Sequence, residues 1–261
     1  MSKKKVIINI QVYNSFKNLG KIFDRINNSR LNIVKIYIID NNSPIIIDEK
    51  LKIIKKFAIK PKIKTELIIN KINYGYGGSQ KILFSLLKKE KFDYVLNLGT
   101  SNRYSIKKVL NDVEKNITLL KEYFLFSRFI NRKSTENYNT VRRDFNIIFI
   151  LITKIFTQTF FSDPGQTTYL MSSTLLKRLN KIKPKNITNG SHFGHFLNIK
   201  IFKLGINYKE IPIMWRDGNI KSHLKPLNYI IIFSLSIVKY FFTHEFIIEK
   251  KNKFKFKRFK I

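Results

Sequence analysis

The sequence predicts an α/β protein with a mostly parallel central sheet flanked by helices. Three observations carry that reading. Short β-branched runs, VIINIQV, KIYIID, LII and YVLNL, alternate with stretches whose apolar residues recur at helical spacing. The run from Tyr94 to Leu98 stops at Gly99, and Thr100, Ser101, Asn102 and Arg103 follow at once, on the loop past a strand's carboxyl end where open α/β sheets bind ligands. A chain of 261 residues, 44% of them apolar, also has ample material for a core.

Val6 to Val12 reads as the first strand, ending at Tyr13 and Asn14. Ser15 is placed to cap the helix that follows, whose apolar face is Phe16, Leu19, Ile22, Phe23 and Ile26. Ile33 to Ile39 is a second strand with Asp40-Asn41-Asn42-Ser43 as its terminal loop, and Leu67 to Ile69 is a third. Asn73 to Ser79 then leads into a helix carrying Ile82, Leu83, Leu86 and Leu87 on one face, and Tyr94 opens the central strand. Ile106 to about Lys121 is expected to be helical and Tyr123 to Phe129 a strand. Asn146 to Phe161 is shorter than the ~20 residues of a spanning helix, so it either packs on the domain or lies at a membrane surface. Thr167 to Met171 and Tyr208 to Met214 are further strands, with helices from Ser173 and from about His195 between them.

The end of the chain has a different character. Pro226 opens a segment whose run Tyr229 to Phe242 is apolar apart from Ser234, Ser236 and Lys239, and the tail KKNKFKFKRFKI interleaves cations with Phe254, Phe256 and Phe259. Apolar insertion beside cations suits an interfacial anchor on anionic lipid, while a core helix with a frayed tail would look the same. The expected division is a domain over 1–222 and a membrane-associated helical segment over 223–261.

The 50 Lys and Arg against 17 Asp and Glu leave a formal net charge of +33, which attracts an anionic partner. Lysines spread over solvated faces would give the same count. The sheet region shows no interleaved basic and aromatic face, so nucleic acid is not the expected partner. The absence of cysteine excludes disulfides and thiolate metal sites. The basic start MSKKK precedes an apolar run broken by Asn9 and Gln11, too short for a signal peptide, and a cytoplasmic location is expected.

In this order the segments resemble family 2 glycosyltransferases of the GT-A fold, in particular the dolichyl-phosphate mannosyltransferase branch. VIINIQVYNSFKNLGKIFDRI is similar to that family's first strand, Pro-Val-Tyr-Asn-Glu turn and helix, with Gln11 and Ser15 at the proline and acid positions. KIYIIDNNS is similar to its Val-Asp-Asp-Gly-Ser loop and NYGYGGSQK to its glycine-rich segment. FLFSRF, FNIIFILITKIF, DPGQTTYLMSSTLLKRL and the stretch from His192 to Ser222 resemble the later motifs. The resemblance implies a nucleotide-sugar donor, UDP-, GDP- or dTDP-linked, held by Tyr13, Asn14, Asp40, Gly75, Gly78, Thr100, Ser101, Asn102 and Arg103. It also implies a lipid-phosphate or glycan acceptor met by Arg128 and Asp163, with Trp215 shaping its mouth or simply packing. Transfer would invert the anomeric carbon at the inner face of the cell membrane.

Two departures qualify that implication. The family's metal-holding Asp-x-Asp falls on Thr100-Ser101-Asn102, with Asn102 at the missing acid, and Mg²⁺ or Mn²⁺ prefers anionic oxygens. Either the metal is held elsewhere, it is dispensable with Arg103 and Arg128 offsetting the diphosphate, or the chain is a non-catalytic binding or scaffold protein of surface-polysaccharide assembly. Where many members keep a carboxylate base, the chain reads Ser191-His192-Phe193-Gly194-His195. A phosphate acceptor needs no base. Alternatively His192 or His195, at an unperturbed pKa of ~6.5, would serve a hydroxyl acceptor, or both are structural.

Overall fold

Val6, Ile7, Ile8, Ile10 and Val12 are all buried, so the first strand has no solvent face and must sit inside a sheet covered on both sides. The computed structural model describes residues 3–57, 63–135, 138–179, 187–216, 226–246 and 253–261. Its strands are β1 (Lys5–Val12), β2 (Asn32–Asp40), β3 (Lys64–Asn70), β4 (Tyr94–Gly99), β5 (Tyr123–Ser127), β6 (Tyr169–Ser172), β7 (Tyr208–Pro212) and β8 (Phe256–Lys260). They form one sheet in the order β7-β5-β6-β4-β1-β2-β3-β8. Pairing is parallel from β4 through β1 and β2 to β3, and between β5 and β7. It is antiparallel at β6 and β8. The chain winds outward from β1 through β2 to β3 and then crosses back to place β4 on the other side of β1. The carboxyl tips of β1, β2 and β4 therefore share one edge at a reversal of winding, the place where such sheets form a crevice.

Helices α1 (Leu19–Asn27), α2 (Ile47–Phe57) and α4 (Ile106–Asn116) cover one face, packing Phe23, Ile54 and Val109 onto Ile8, Ile38 and Leu96. Helices α3 (Gly75–Leu87), α6 (Ser173–Leu179) and α7 (Phe193–Lys203) cover the other, around Leu83, Leu175 and Phe196. Two longer helices, α5 (Thr140–Thr157) and α8 (Pro226–Thr243), pack on each other through edge-to-face pairs, Phe149 with Phe233 at 4.8 Å and Phe156 with Phe241 at 5.5 Å. Among the described residues no helix is long and apolar enough to cross a membrane.

Three expectations are corrected. The helix expected over Asn146 to Phe161 begins at Thr140 and ends at Thr157, and α2 was not anticipated. The helix expected to run to Lys121 stops at Asn116 and tightens into a 3₁₀ turn over Ile117–Leu119. The tail is neither helical nor frayed, because β8 extends the sheet beyond β3. Its period of two sends Phe259 and Ile261 toward the α2 side and Arg258 toward the other, where its guanidinium grips Glu66 at 2.6 and 2.9 Å. Residues 217–225, where the boundary at 222 was expected, and Lys250 and Lys251 of the tail lie outside the described residues. Phe233, Ile237, Tyr240 and Phe246 join the same core as α3 and α7, so α8 and the turn after it complete the domain.

Candidate active site

At the tip of β1, Asn14 takes a left-handed conformation (φ 51°), and at the tip of β2 so does Asn42 (φ 65°), a backbone state asparagine tolerates. The two tips are tied, with Asn14 N donating to Ser43 Oγ at 2.9 Å and Asn41 N to the Val12 carbonyl at 2.9 Å. Asp40 lies beneath them, fully buried. Its Oδ1 accepts from the amide and hydroxyl of Ser43 at 3.0 and 2.6 Å, and its Oδ2 is 2.7 Å from Lys50 Nζ on α2. Both oxygens expected to face a nucleoside are thus engaged by protein groups, and Asp40 shapes the loop from below. Tyr13 stands exposed at the rim.

The glycine segment also turns its face to protein. Gly75 has φ +74°, and a Cβ there would stand 2.5 Å from the Asn189 carbonyl oxygen. The amides of Gly77 and Gly78 donate to the carbonyls of Gly190 and Asn189 at 3.3 and 3.2 Å. The close approach of Gly75 is to the 189–190 loop, and that of Gly78 is to the Tyr74 side chain.

On the tip of β4, the Thr100 hydroxyl bonds Ser15 Oγ and the Gln11 carbonyl, and Asn102 Nδ2 donates weakly to Asn18 Oδ1 at 3.4 Å. Ser101 is half-buried beside them. Arg103 is fixed by its backbone, its carbonyl accepting from Arg216 N at 2.7 Å, and its guanidinium lies over Trp215 at 5.9 Å. Trp215 stacks on Tyr104 at 5.8 Å and meets Arg128 at 5.1 Å on its ring. The indole therefore seats two cations at the junction of strand tips and cavity. Asp217, two residues on, lies outside the described residues.

Arg128 follows the last residue of β5 and grips Asp163 with both arms of its fork, Nε to Oδ2 at 2.7 Å and Nη2 to Oδ1 at 2.9 Å, while its amide also donates to Oδ2 at 3.0 Å. Glu210 on β7 holds the turn in place by accepting from the amide and hydroxyl of Ser162. Burial, reinforced by Asp163, raises the Glu210 pKa. A buried network anchors the same turn from the sheet. Asn97 Nδ2 donates to the Thr167 carbonyl at 2.7 Å, Asn97 Oδ1 accepts from Asn9 and Gln80, and Asn198 Nδ2 donates to the Pro164 and Gln166 carbonyls.

Arg128 and Asp163 face a cavity of about 600 Å³. Arg103, Arg128, Asp163 and His195 line its base, and Val141, Phe145, Phe149 and Ile150 of α5 with Ile230 of α8 form an apolar wall. Trp215 stands behind the arginines and is not part of the lining. Sequence reading thus named the base but missed the wall, whose signal was the spacing of four from Val141 to Phe145 to Phe149. Tyr13, Asn14, Asp40 and Asn102 are not among the residues lining this cavity.

His195 is buried, and Thr153, whose hydroxyl donates to the Phe149 carbonyl at 2.7 Å, accepts from His195 Nε2 at 2.7 Å. That assigns the proton to Nε2 and leaves Nδ1 as a lone pair near Gly165. Burial first, then His192 and Arg128, push its pKa down to about 3, which corrects the expected unperturbed value. The ring is neutral at physiological pH and a poor base. His192 is also packed into an aromatic cluster, stacked on Phe196 at 5.9 Å and on Phe233 at 6.3 Å.

Among the described residues no three His, Cys, Asp or Glu side chains gather as metal ligands. The hydroxyl and amide groups of Thr100, Ser101 and Asn102 are neutral, and the oxygens of Asp40 and Asp163 are committed. This donor set does not fit Mg²⁺ or Mn²⁺, which favour anionic oxygens.

No protein-family model and no curated protein sequence matches the chain. Solved structures do. Glucosyl-3-phosphoglycerate synthase from Mycobacterium tuberculosis, bound to Mn²⁺, UDP and glucosyl-3-phosphoglycerate, superposes with a TM-score of 0.52 at 10% identity over 90% of this chain and 77% of its own. TarS 1-349 from S. aureus gives 0.53 at 16% identity over 92% and 73%. The mannosyltransferase PcManGT from Pyrobaculum calidifontis, bound to GDP-Man and Mn²⁺, gives 0.55 at 13% identity over 94% of this chain and 64% of its own. At these identities the likeness shows the fold alone, the GT-A architecture shared by these glycosyltransferases.

Proposed function

We propose that this chain is an inverting glycosyltransferase that moves a sugar from a nucleotide donor onto a lipid-linked phosphate at the inner face of the cell membrane. The observation that carries the reading is the cavity, which opens beside the strand tips of a nucleotide-sugar fold and joins a cationic floor to an apolar wall. The donor nucleoside lies over the tips of β1 and β2, near Tyr13 and Asn14, with Asp40 supporting their loop. Its diphosphate reaches Thr100 to Arg103.

An acceptor phosphate oxygen attacks the anomeric carbon on the side opposite the diphosphate. The anomeric C–O bond breaks with its electron pair left on the nucleoside diphosphate, the new C–O bond forms, and no proton moves. Asp163 orients Arg128 toward the acceptor through two parallel hydrogen bonds. A hydroxyl acceptor is less well supported, because both oxygens of Asp163 are gripped by Arg128 and the buried His195 ring, its pKa pushed down to about 3, is a poor base.

The lipid side of the reading rests on α5 and α8. Ile148, Leu151 and Ile155 on one helix and Leu235, Phe241 and Phe242 on the other are exposed. Such a face suits the headgroup boundary of an anionic bilayer. The test offers UDP-, GDP- and dTDP-sugars with vesicles carrying polyprenyl monophosphate. Sugar label in the lipid fraction is expected with one donor class. Nucleotide-sugar binding without transfer to lipid would instead favour the non-catalytic scaffold reading.

A further inference from the structure

Glycosyl transfer leaves a nucleoside diphosphate whose growing negative charge must meet positive charge, by a bound cation or by side chains. The M. tuberculosis and P. calidifontis structures contain Mn²⁺. Here Thr100, Ser101 and Asn102, on the loop past β4, offer only neutral groups, and the Thr100 hydroxyl is held between Ser15 and the Gln11 carbonyl. The nearest buried carboxylates are closed to a metal from both sides, Asp40 by Lys50 and Ser43, Asp163 by Arg128. One residue beyond Asn102 stands Arg103. Its backbone is pinned by Arg216, its guanidinium is steered by the face of Trp215, and it lines the cavity floor. A guanidinium matches phosphate oxygens in pairs and stays charged at any working pH.

Resting on the glycosyltransferase reading, we infer that this site binds and releases the nucleoside diphosphate without a divalent metal, with Arg103 supplying the charge that a metal supplies in the Mn²⁺-bound structures. Trp215 is then a positioning residue that holds the guanidinium toward the diphosphate. As the anomeric C–O bond breaks, the electron pair left on the diphosphate is met by the Arg103 N–H groups, and no metal ligand exchanges.

Calorimetric titration of the full chain with UDP and with GDP, each in excess EDTA and in millimolar Mn²⁺, tests the metal half without any substitution. Affinity for the preferred nucleotide should agree within about twofold, a difference of about 0.4 kcal/mol. Tightening by about tenfold or more on adding Mn²⁺ would overturn the inference while leaving the glycosyltransferase reading intact. Absence of binding of either nucleotide under both conditions would remove that reading as well. Arg103→Met keeps an apolar stem against Trp215 and removes the charge. It should weaken binding about tenfold or more, in EDTA and Mn²⁺ alike, whereas Arg103→Lys should recover part of the loss. Unchanged affinity in Arg103→Met would assign the charge elsewhere and refute the role of Arg103.

Discussion

Asp40 and Asp163 stand on the same edge of the sheet, each buried and each paired with a cation, yet they belong to different kinds of region. Around Asp40 the neighbours are the protein's own cation and strand tips. Lys50 closes it from α2, Ser43 caps it from above, and Asn14 and Asn41 knit the strand tips together. Around Asp163 the pairing is as tight, but the Arg128 that makes it also faces a cavity with an apolar wall. A buried ion pair by itself therefore does not distinguish support from function. What surrounds the pair does.

The largest expected effects test that contrast by breaking each pair. Lys50→Ala and Arg128→Ala each strand a buried carboxylate and should cost about 3–5 kcal/mol in urea unfolding. Rescue separates the regions. Arg128→Met with Asp163→Leu should regain most of the stability and no transfer. Lys50→Met with Asp40→Asn, whose new amide oxygen still accepts from Ser43, should regain stability and transfer within about tenfold of wild type. Transfer by the first double variant would make the cavity pair mere support.

Next in size is the sheet's far end. Cutting the chain before Lys253 removes β8, strips Phe254 from Tyr74 and Phe259 from the α2 side, and leaves Glu66 with Lys35 alone. A loss of about 2–4 kcal/mol is expected from the two phenylalanines. Unaltered urea midpoints would show that the strand is an ornament of the edge.

These two regions were unequally legible in the sequence. Strand tips were readable because buried parallel strands announce themselves as β-branched runs ending in Gly, Asn or Asp, as at Asp40 and Gly99. The Lys50–Asp40 pair was not, since KLKIIKKF dilutes its apolar period with lysines, although Asp48 and Glu49 in the first turn and Lys55 and Lys56 in the last mark a helix. Arg128 and Asp163 were each named but not their grip, because they meet only through the turn after Phe161. The tail failed differently. FKFKRFKI alternates apolar and basic residues but shifts phase between Lys257 and Arg258, which breaks the strand signature, and the abundance of cations drew attention to lipid instead.

A smaller effect concerns acid. His195 has a folded pKa of about 3 against an ordinary 6.5, so between these values the unfolded chain binds more protons and stability rises with pH, being complete above about 6.5. Glu66 and Glu90 act in the same direction. Burial alone would raise their pKa values, but Arg258 and Lys35 lower that of Glu66, and Lys35 with Tyr37 lowers that of Glu90. Their contribution is present above the ordinary carboxylate range and lost as pH falls through the lowered values. Urea midpoints should decline below about pH 6.5, with a shallower decline in His195→Gln. A midpoint flat down to pH 4 would contradict the buried neutral ring.

The smallest effect on stability, under about 1 kcal/mol, is expected from Phe145→Asp on the half-exposed cavity wall. It should slow transfer to lipid while leaving nucleotide affinity unchanged, and equal losses in both would merge the two regions into one.

The most direct test compares initial rates with two acceptors in the same vesicles, polyprenyl monophosphate and the corresponding polyprenol, using the donor that binds best. Transfer to the phosphate and none to the alcohol is the predicted result, since the cavity offers cations while Asp163 is gripped by Arg128 and the buried His195 ring is a poor base. Equal transfer to both, or transfer to the alcohol alone, would contradict it.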